Sequence, residues 1–161
     1  MPRSTVTRRF LTLLILTLTG CPGFVIGDPY TETVLRNLTD GSIEVELVLD
    51  PAQHNLDPST DPEPYAKDWL GQFGQGEQVT TLALDTAKLT GRYAIGPSGF
   101  MIMSSGLGTE PWFGFKSLRI TQGERSVLFQ DATKFPGLFK KTGKGHKYEF
   151  AVTAEVLAEG G

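Results

Sequence analysis

Ser42-Ile43-Glu44-Val45-Glu46-Leu47-Val48-Leu49-Asp50 is the stretch on which the reading of this chain turns. Ile43, Val45, Leu47 and Leu49 fall on one side and Glu44 and Glu46 on the other. That is the period of two expected of a strand with one face in a core and one in water. The end of the chain repeats the pattern: Tyr148, Phe150, Val152, Ala154 and Val156 alternate with Glu149, Ala151, Thr153 and Glu155. Ahead of the first run, Thr31 to Leu38 is also extended, and Thr39-Asp40-Gly41 joins the two with the Asp-Gly signal of a tight hairpin turn. Further strands are predicted near 78–84, 89–95, 99–104, 114–121 and 125–130, with Gly123-Glu124 turning the last two into a hairpin.

Short strands, 19 glycines, 10 prolines and little helical periodicity predict a mainly β protein. The expected architecture is an antiparallel β-sandwich of the immunoglobulin-like kind, or a small barrel, with one short helix. Asp61-Pro62-Glu63-Pro64 starts that helix, with a capping acid and proline in the first turn. Tyr65, Trp69 and Phe73 then share a face at i, i+4, i+8, the spacing of a stripe packed on a sheet, until Gly71 and Gly74 end it. The Asp/Pro-rich stretch from Asp50 to Pro64 reads as a stiff solvated connector, without the spacing or glycine of a calcium loop.

The first thirty residues carry a different signal. Arg3, Arg8 and Arg9 precede an apolar run from Phe10 to Leu18, and Leu18-Thr19-Gly20-Cys21 follows. A basic segment, an apolar segment and small residues before a cut site describe an export signal. Nine residues at about 1.5 Å each are too short to span a hydrocarbon core of about 30 Å. Leu18-Thr19-Gly20-Cys21 resembles the lipobox of bacterial lipoproteins. The resemblance implies cleavage before Cys21, a diacylglyceryl group on its thiol and often an acyl group on its new amine. Cys21 is the chain's single cysteine, which fits that use and leaves no internal disulfide. Thr7-Arg8-Arg9-Phe10-Leu11 partly resembles a twin-arginine export signal, with Thr12 where a second apolar residue is usual.

The expected organisation is a signal peptide at 1–20, an acylated cysteine and short tether at 21–30, and a single β-rich domain at 31–161. Loss of the signal removes three arginines and no acids, so net charge moves from −3 to −6 over 141 remaining residues. That length buries a core without help from disulfides or metals. Fully extended, the tether holds the domain no more than about 35 Å from the bilayer. Charge is uneven: residues 21–85 hold twelve acids and two bases, whereas 86–161 hold six acids and ten bases. Nothing in it resembles a nucleic-acid-binding face.

Two groups stand out as candidate contacts. Lys140, Lys141, Lys144, His146 and Lys147 cluster on a glycine-containing hairpin tip, the kind of loop that holds phosphate or carboxylate groups. It is not a phosphate-binding P-loop. Five residues rather than four separate Gly137 from Gly143, and Gly145 stands where Ser or Thr binds magnesium. Trp112 and Phe113 are the aromatic candidates, able to stack on a ligand ring. Catalysis has little support: the two histidines, His54 and His146, show no metal-ligand spacing, and Gly96-Pro97-Ser98-Gly99 is a turn rather than a nucleophile elbow. No cofactor and no metal are expected. The favoured expectation is an exported lipoprotein, anchored through Cys21 to a bacterial membrane, with a noncatalytic domain that binds another envelope component. A protein is the favoured partner and an anionic polymer the next. The alternatives are an envelope hydrolase using His54 or His146 as base, and a purely structural surface lipoprotein.

Overall fold

Eight strands dominate the computed structural model, which describes residues 30–54, 63–143 and 145–159. In chain order they are β1 (Tyr30–Asn37), β2 (Ile43–Leu49), β3 (Gly76–Asp85), β4 (Thr90–Leu107), β5 (Phe115–Gln122), β6 (Arg125–Phe129), β7 (Lys140–Lys141) and β8 (His146–Val152). Helix α1 (Glu63–Phe73) lies between β2 and β3. A 3-10 turn at Ala132–Lys134 leads into α2 (Phe135–Leu138), and α3 (Ala154–Ala158) follows β8. No helix among the described residues is long and apolar enough to cross a membrane. Cys21, the segments 1–20 and 21–29, Lys144 and most of the Asp/Pro-rich connector lie outside the described residues.

The strands form one sheet, curled into a half-barrel around the 18-residue β4. One edge of β4 takes β3. The other takes two strands in tandem: β2 along Thr90–Ile95, and β1 along Phe100–Leu107. β5 and β6 extend the sheet from β2, while β8 and β7 extend it from β1. The two wings share one apolar core, into which β2 sends Ile43, Val45, Leu47 and Leu49 and β8 sends Phe150 and Val152. Phe129 of β6 meets Phe150 of β8 edge-on, ring centres 5.7 Å apart, so the wings touch across that core.

The mainly β expectation holds, and several details differ. The Asp40-Gly41 turn does not fold β2 back on β1. Both strands run antiparallel to β4, end to end, and residues 38–42 arch out between them. The strands expected at 89–95 and 99–104 are halves of β4, and Gly96-Pro97-Ser98-Gly99 is an arch inside it with Ser98 at φ 62°. β1 and β8 are parallel, with Thr31 opposite His146 and Asn37 opposite Val152. The last strand stops at Val152, because Thr153 caps a helix there: its hydroxyl accepts from the Val156 amide at 3.5 Å. Ala154 and Val156 are therefore helical, and Leu157 is the residue that α3 buries. There are more helices than the one expected. On α1 the buried face is Ala66, Leu70 and Phe73, with Trp69 half-buried and Tyr65 67 % exposed. The buried Tyr93 hydroxyl donates to the Leu70 carbonyl at 2.5 Å, near the helix end where carbonyls lack intrahelical partners.

Asn37, 0 % exposed, holds the two arches together. Its amide nitrogen lies 2.8 Å from the Gly41 carbonyl and 3.0 Å from those of Ile95 and Gly96. Its oxygen accepts from the Thr39 amide at 2.9 Å and faces the Thr39 hydroxyl at 2.7 Å. That hydroxyl accepts in turn from Gln122 Nε2 of β5 at 2.7 Å. Buried carbonyls left without a donor cost about 1–3 kcal/mol each, so Asn37→Ala is expected to destabilise the fold by about 2–4 kcal/mol. Denaturant unfolding checks this: the midpoint should fall with the slope unchanged.

Candidate functional site

The chain's two tryptophans meet beside β4. Trp69 comes from the half-buried side of α1, and Trp112 from the loop between β4 and β5, with ring centres 5.8 Å apart. His54, just after β2, wedges behind both, 4.4 Å from Trp69 and edge-on to Trp112 at 5.0 Å. Its Nε2 lies 2.7 Å from the Gly114 carbonyl, which can only accept, so Nε2 carries the proton. The fit at Gly114 leaves no room for a side chain: a Cβ there would come within 2.4 Å of the Trp112 ring and 2.5 Å of His54 Nε2. The turn after β2 and the β4–β5 loop thus meet at one glycine, and α1 joins them through Trp69 on His54.

In front of the indoles opens a cleft of about 340 Å³ lined by Trp69, Gln72, Phe73, Gln75, Ile102, Met103, Ser104, Ser105 and Trp112. Its size falls within the usual range for ligand sites. None of these nine residues is charged. Apolar rings, an isoleucine and a thioether share the lining with two amides and two hydroxyls. A smaller cleft of about 200 Å³ continues on the other side of Trp112, between Thr31, Ser104, Ser105, Gly106, Leu107 and Glu110. β3 supplies a further feature. Its pairing with β4 ends at Gly76 opposite Met101, with one last bond from the Ile102 amide to the Gln75 carbonyl at 2.9 Å. Beyond it, no strand among the described residues pairs with that edge of β4, and Met103 to Leu107 line the two clefts.

The candidates from sequence divide. Trp112 is 39 % exposed and belongs to the cleft. Phe113 does not: it turns into the core against Phe139, Phe115 and Phe135, at 4.9, 5.8 and 6.0 Å. Lys140 and Lys141 are exposed on β7, and Lys147 is exposed with its Nζ 3.3 Å from Glu32. His146 is half-buried, with Nδ1 sealed and unpartnered among the described residues. None of these three lysines lines either cleft. Trp69 was legible as part of a packed stripe. Gln72, Gln75, Ser104 and Ser105 had no signal, since only the folding of α1 beside β4 brings them together.

As a base, His54 is poorly placed. With Nε2 committed to Gly114, the free lone pair is on Nδ1, which is buried and has no partner among the described residues. Burial is also the largest influence on its titration and holds its pKa below the ordinary 6.5, against the raising effects of the Gly114 bond and Asp50. The ring therefore stands neutral at pH 7 as a packing wedge. A folded pKa below the unfolded one means that the unfolded chain takes up the proton first as pH falls through 6.5. Stability contributed by neutral His54 is thus fully present above about pH 7.5, declines through 6.5, and levels off below the folded pKa. The expected outcome is a wild-type chain that loses more stability than His54→Phe between pH 7.5 and 5.5, measured by denaturant unfolding at both pH values.

Compared with known proteins, the chain matches no family model, no curated protein and no solved structure.

Proposed function

We propose that this chain is an exported, lipid-anchored, noncatalytic binding domain that takes up a polypeptide segment of another envelope protein along the open edge of β4. The observation that carries this is the early end of β3. Where β3 stops, the backbone edge of β4 from Met103 to Leu107 has no strand beside it among the described residues, and it borders the clefts on either side of Trp112. A partner strand laid there satisfies backbone groups, and pockets for its alternate side chains supply selectivity. Alternate side chains stand about 7 Å apart along one face of a strand, a spacing that suits two adjoining clefts. The uncharged lining of the larger cleft favours an apolar or amide side chain over a charged one, because a charge desolvated there would find no counter-ion.

Anchoring through Cys21 is supported by the lipobox resemblance and by the absence of any other cysteine with which it could pair. Two or three acyl chains on one residue hold a protein at a bilayer durably, at about 0.8 kcal/mol per buried methylene. For the fold, we favour the small barrel over the immunoglobulin-like sandwich, since both wings grow from the single strand β4.

A photo-crosslinking residue at Ser105, compared with one at Leu82 on β3, tests the binding mode in intact cells. The expected result is a dominant adduct from position 105 and none from 82. Trp112→Ala should remove a hot-spot contact worth about 2 kcal/mol, roughly a 30-fold loss of affinity, and so abolish the adduct at working concentrations. Equal adducts from both positions, or an adduct indifferent to Trp112, overturn the reading.

A further inference from the structure

At one corner of the sheet, four features that lie far apart in sequence come together. Tyr30, where the described chain begins, pairs with Leu107 at the end of β4. They are the edge's two conspicuous apolar side chains, 56 % and 77 % exposed. Thr31 is opposite His146, and its hydroxyl bonds the Gly108 carbonyl. The Tyr148 hydroxyl donates to the Thr109 carbonyl at 3.2 Å, and Tyr148 pairs with Lys141. The basic hairpin therefore lies beside the exposed Tyr30–Leu107 pair.

We propose that this corner is the end of the sheet that the domain lays against an anionic lipid bilayer, with Tyr30 and Leu107 in the headgroup boundary. Lys140 and Lys141, which leave β7 on opposite sides, reach the phosphates from either side of the strand. The inference rests on the lipid-anchor reading for its geometry. Cys21 lies nine residues before Tyr30, so an anchored chain delivers this corner to within about 30 Å of the membrane. Two further observations point to lipid. Tyrosine suits the interface, with an apolar ring and a polar tip. Charge also fits: the portion after the signal carries −6, yet Lys140 and Lys141 form no ion pair among the described residues. Of the other charges nearby among the described residues, Lys147 is matched by Glu32 and Glu149 by Arg36, and Glu110 is an unmatched acid. Each lysine near an anionic surface is worth about a fivefold gain in affinity, so the pair matters.

The test uses the full chain carrying Leu107→Cys, isolated from membranes and reconstituted into phosphatidylcholine vesicles with or without phosphatidylglycerol. An environment-sensitive dye is attached at 107, and at Leu82→Cys in a control chain. Leu82 is exposed on β3 beside the Tyr93 and Arg92 portion of β4. Docking predicts a blue shift and quenching by shallow spin-labelled lipid at 107 and neither at 82, strongest with phosphatidylglycerol. Lys140→Ser with Lys141→Ser should lower the docked-to-free ratio roughly 25-fold. The mass of the N-terminal peptide reads the anchor separately. An acylated Cys21 without quenching at 107, or equal quenching at both positions, overturns docking and leaves the anchor standing. A bare Cys21 overturns the anchor. Cys21→Ser chains carrying the same labels, added to preformed vesicles, then decide docking alone: quenching confined to 107 supports it and its absence overturns it.

Discussion

The fold depends on one buried amide. Asn37 closes β1, and its two polar ends reach in opposite senses, one to the carbonyls of Gly41, Ile95 and Gly96, the other to the amide and hydroxyl of Thr39. Two arches, 38–42 and 96–99, are thereby fixed to each other at the point where β4 passes from partnering β2 to partnering β1. Without that lock the tandem strands have no common register, and a slip of one residue would turn each wing's apolar face to water. The carboxamide suits the place because it combines two donor protons with an acceptor and carries no charge to desolvate. Gln122 extends the lock to β5 through Thr39, so three strands answer to one side chain.

Much of the fold was legible because it follows from local alternation. Ile43, Val45, Leu47 and Leu49 are all buried, as their spacing requires. What sequence could not convey was pairing between distant segments. Asp40-Gly41 carries a hairpin signal, yet the chain only bends there, because a third strand, β4, lies across both β1 and β2. At the C-terminus, Ala154 and Val156 satisfy a strand's period as well as a short helix's. The decision fell to Thr153, whose hydroxyl caps α3, and to the room that Leu157 fills. On α1 the stripe Tyr65–Trp69–Phe73 was right at Phe73 and partly right at the half-buried Trp69, but Tyr65 is exposed. The helix presents Ala66, Leu70 and Phe73 because Tyr93 fixes its roll from the other side, through Leu70.

The candidate site shows the same division. Trp112 was visible as an aromatic in a loop, but its neighbours Trp69 and His54 are 43 and 58 residues away. Phe113, adjacent in sequence, points the other way, since successive residues of extended chain face opposite sides. The cleft owes its rigidity to backing rather than to charge: His54 is clamped to Gly114, and the two indoles rest on it. Surfaces held in this way lose little side-chain entropy when something settles on them.

The parallel pairing of β1 with β8 has a consequence for the order in which the molecule can be made. Among the described residues β1 is the first strand and β8 is the last. Arg36 reaches Glu149 at 3.0 Å across 113 residues, and the Phe129–Phe150 contact waits on the same arrival. A chain that emerges from its N-terminus, from a ribosome or through a narrow passage, therefore keeps one side of β1 open until β8 is free. Every earlier intermediate exposes that edge to any other strand within reach. Closure of that edge waits on β8, and pairing over such a sequence separation slows folding in general.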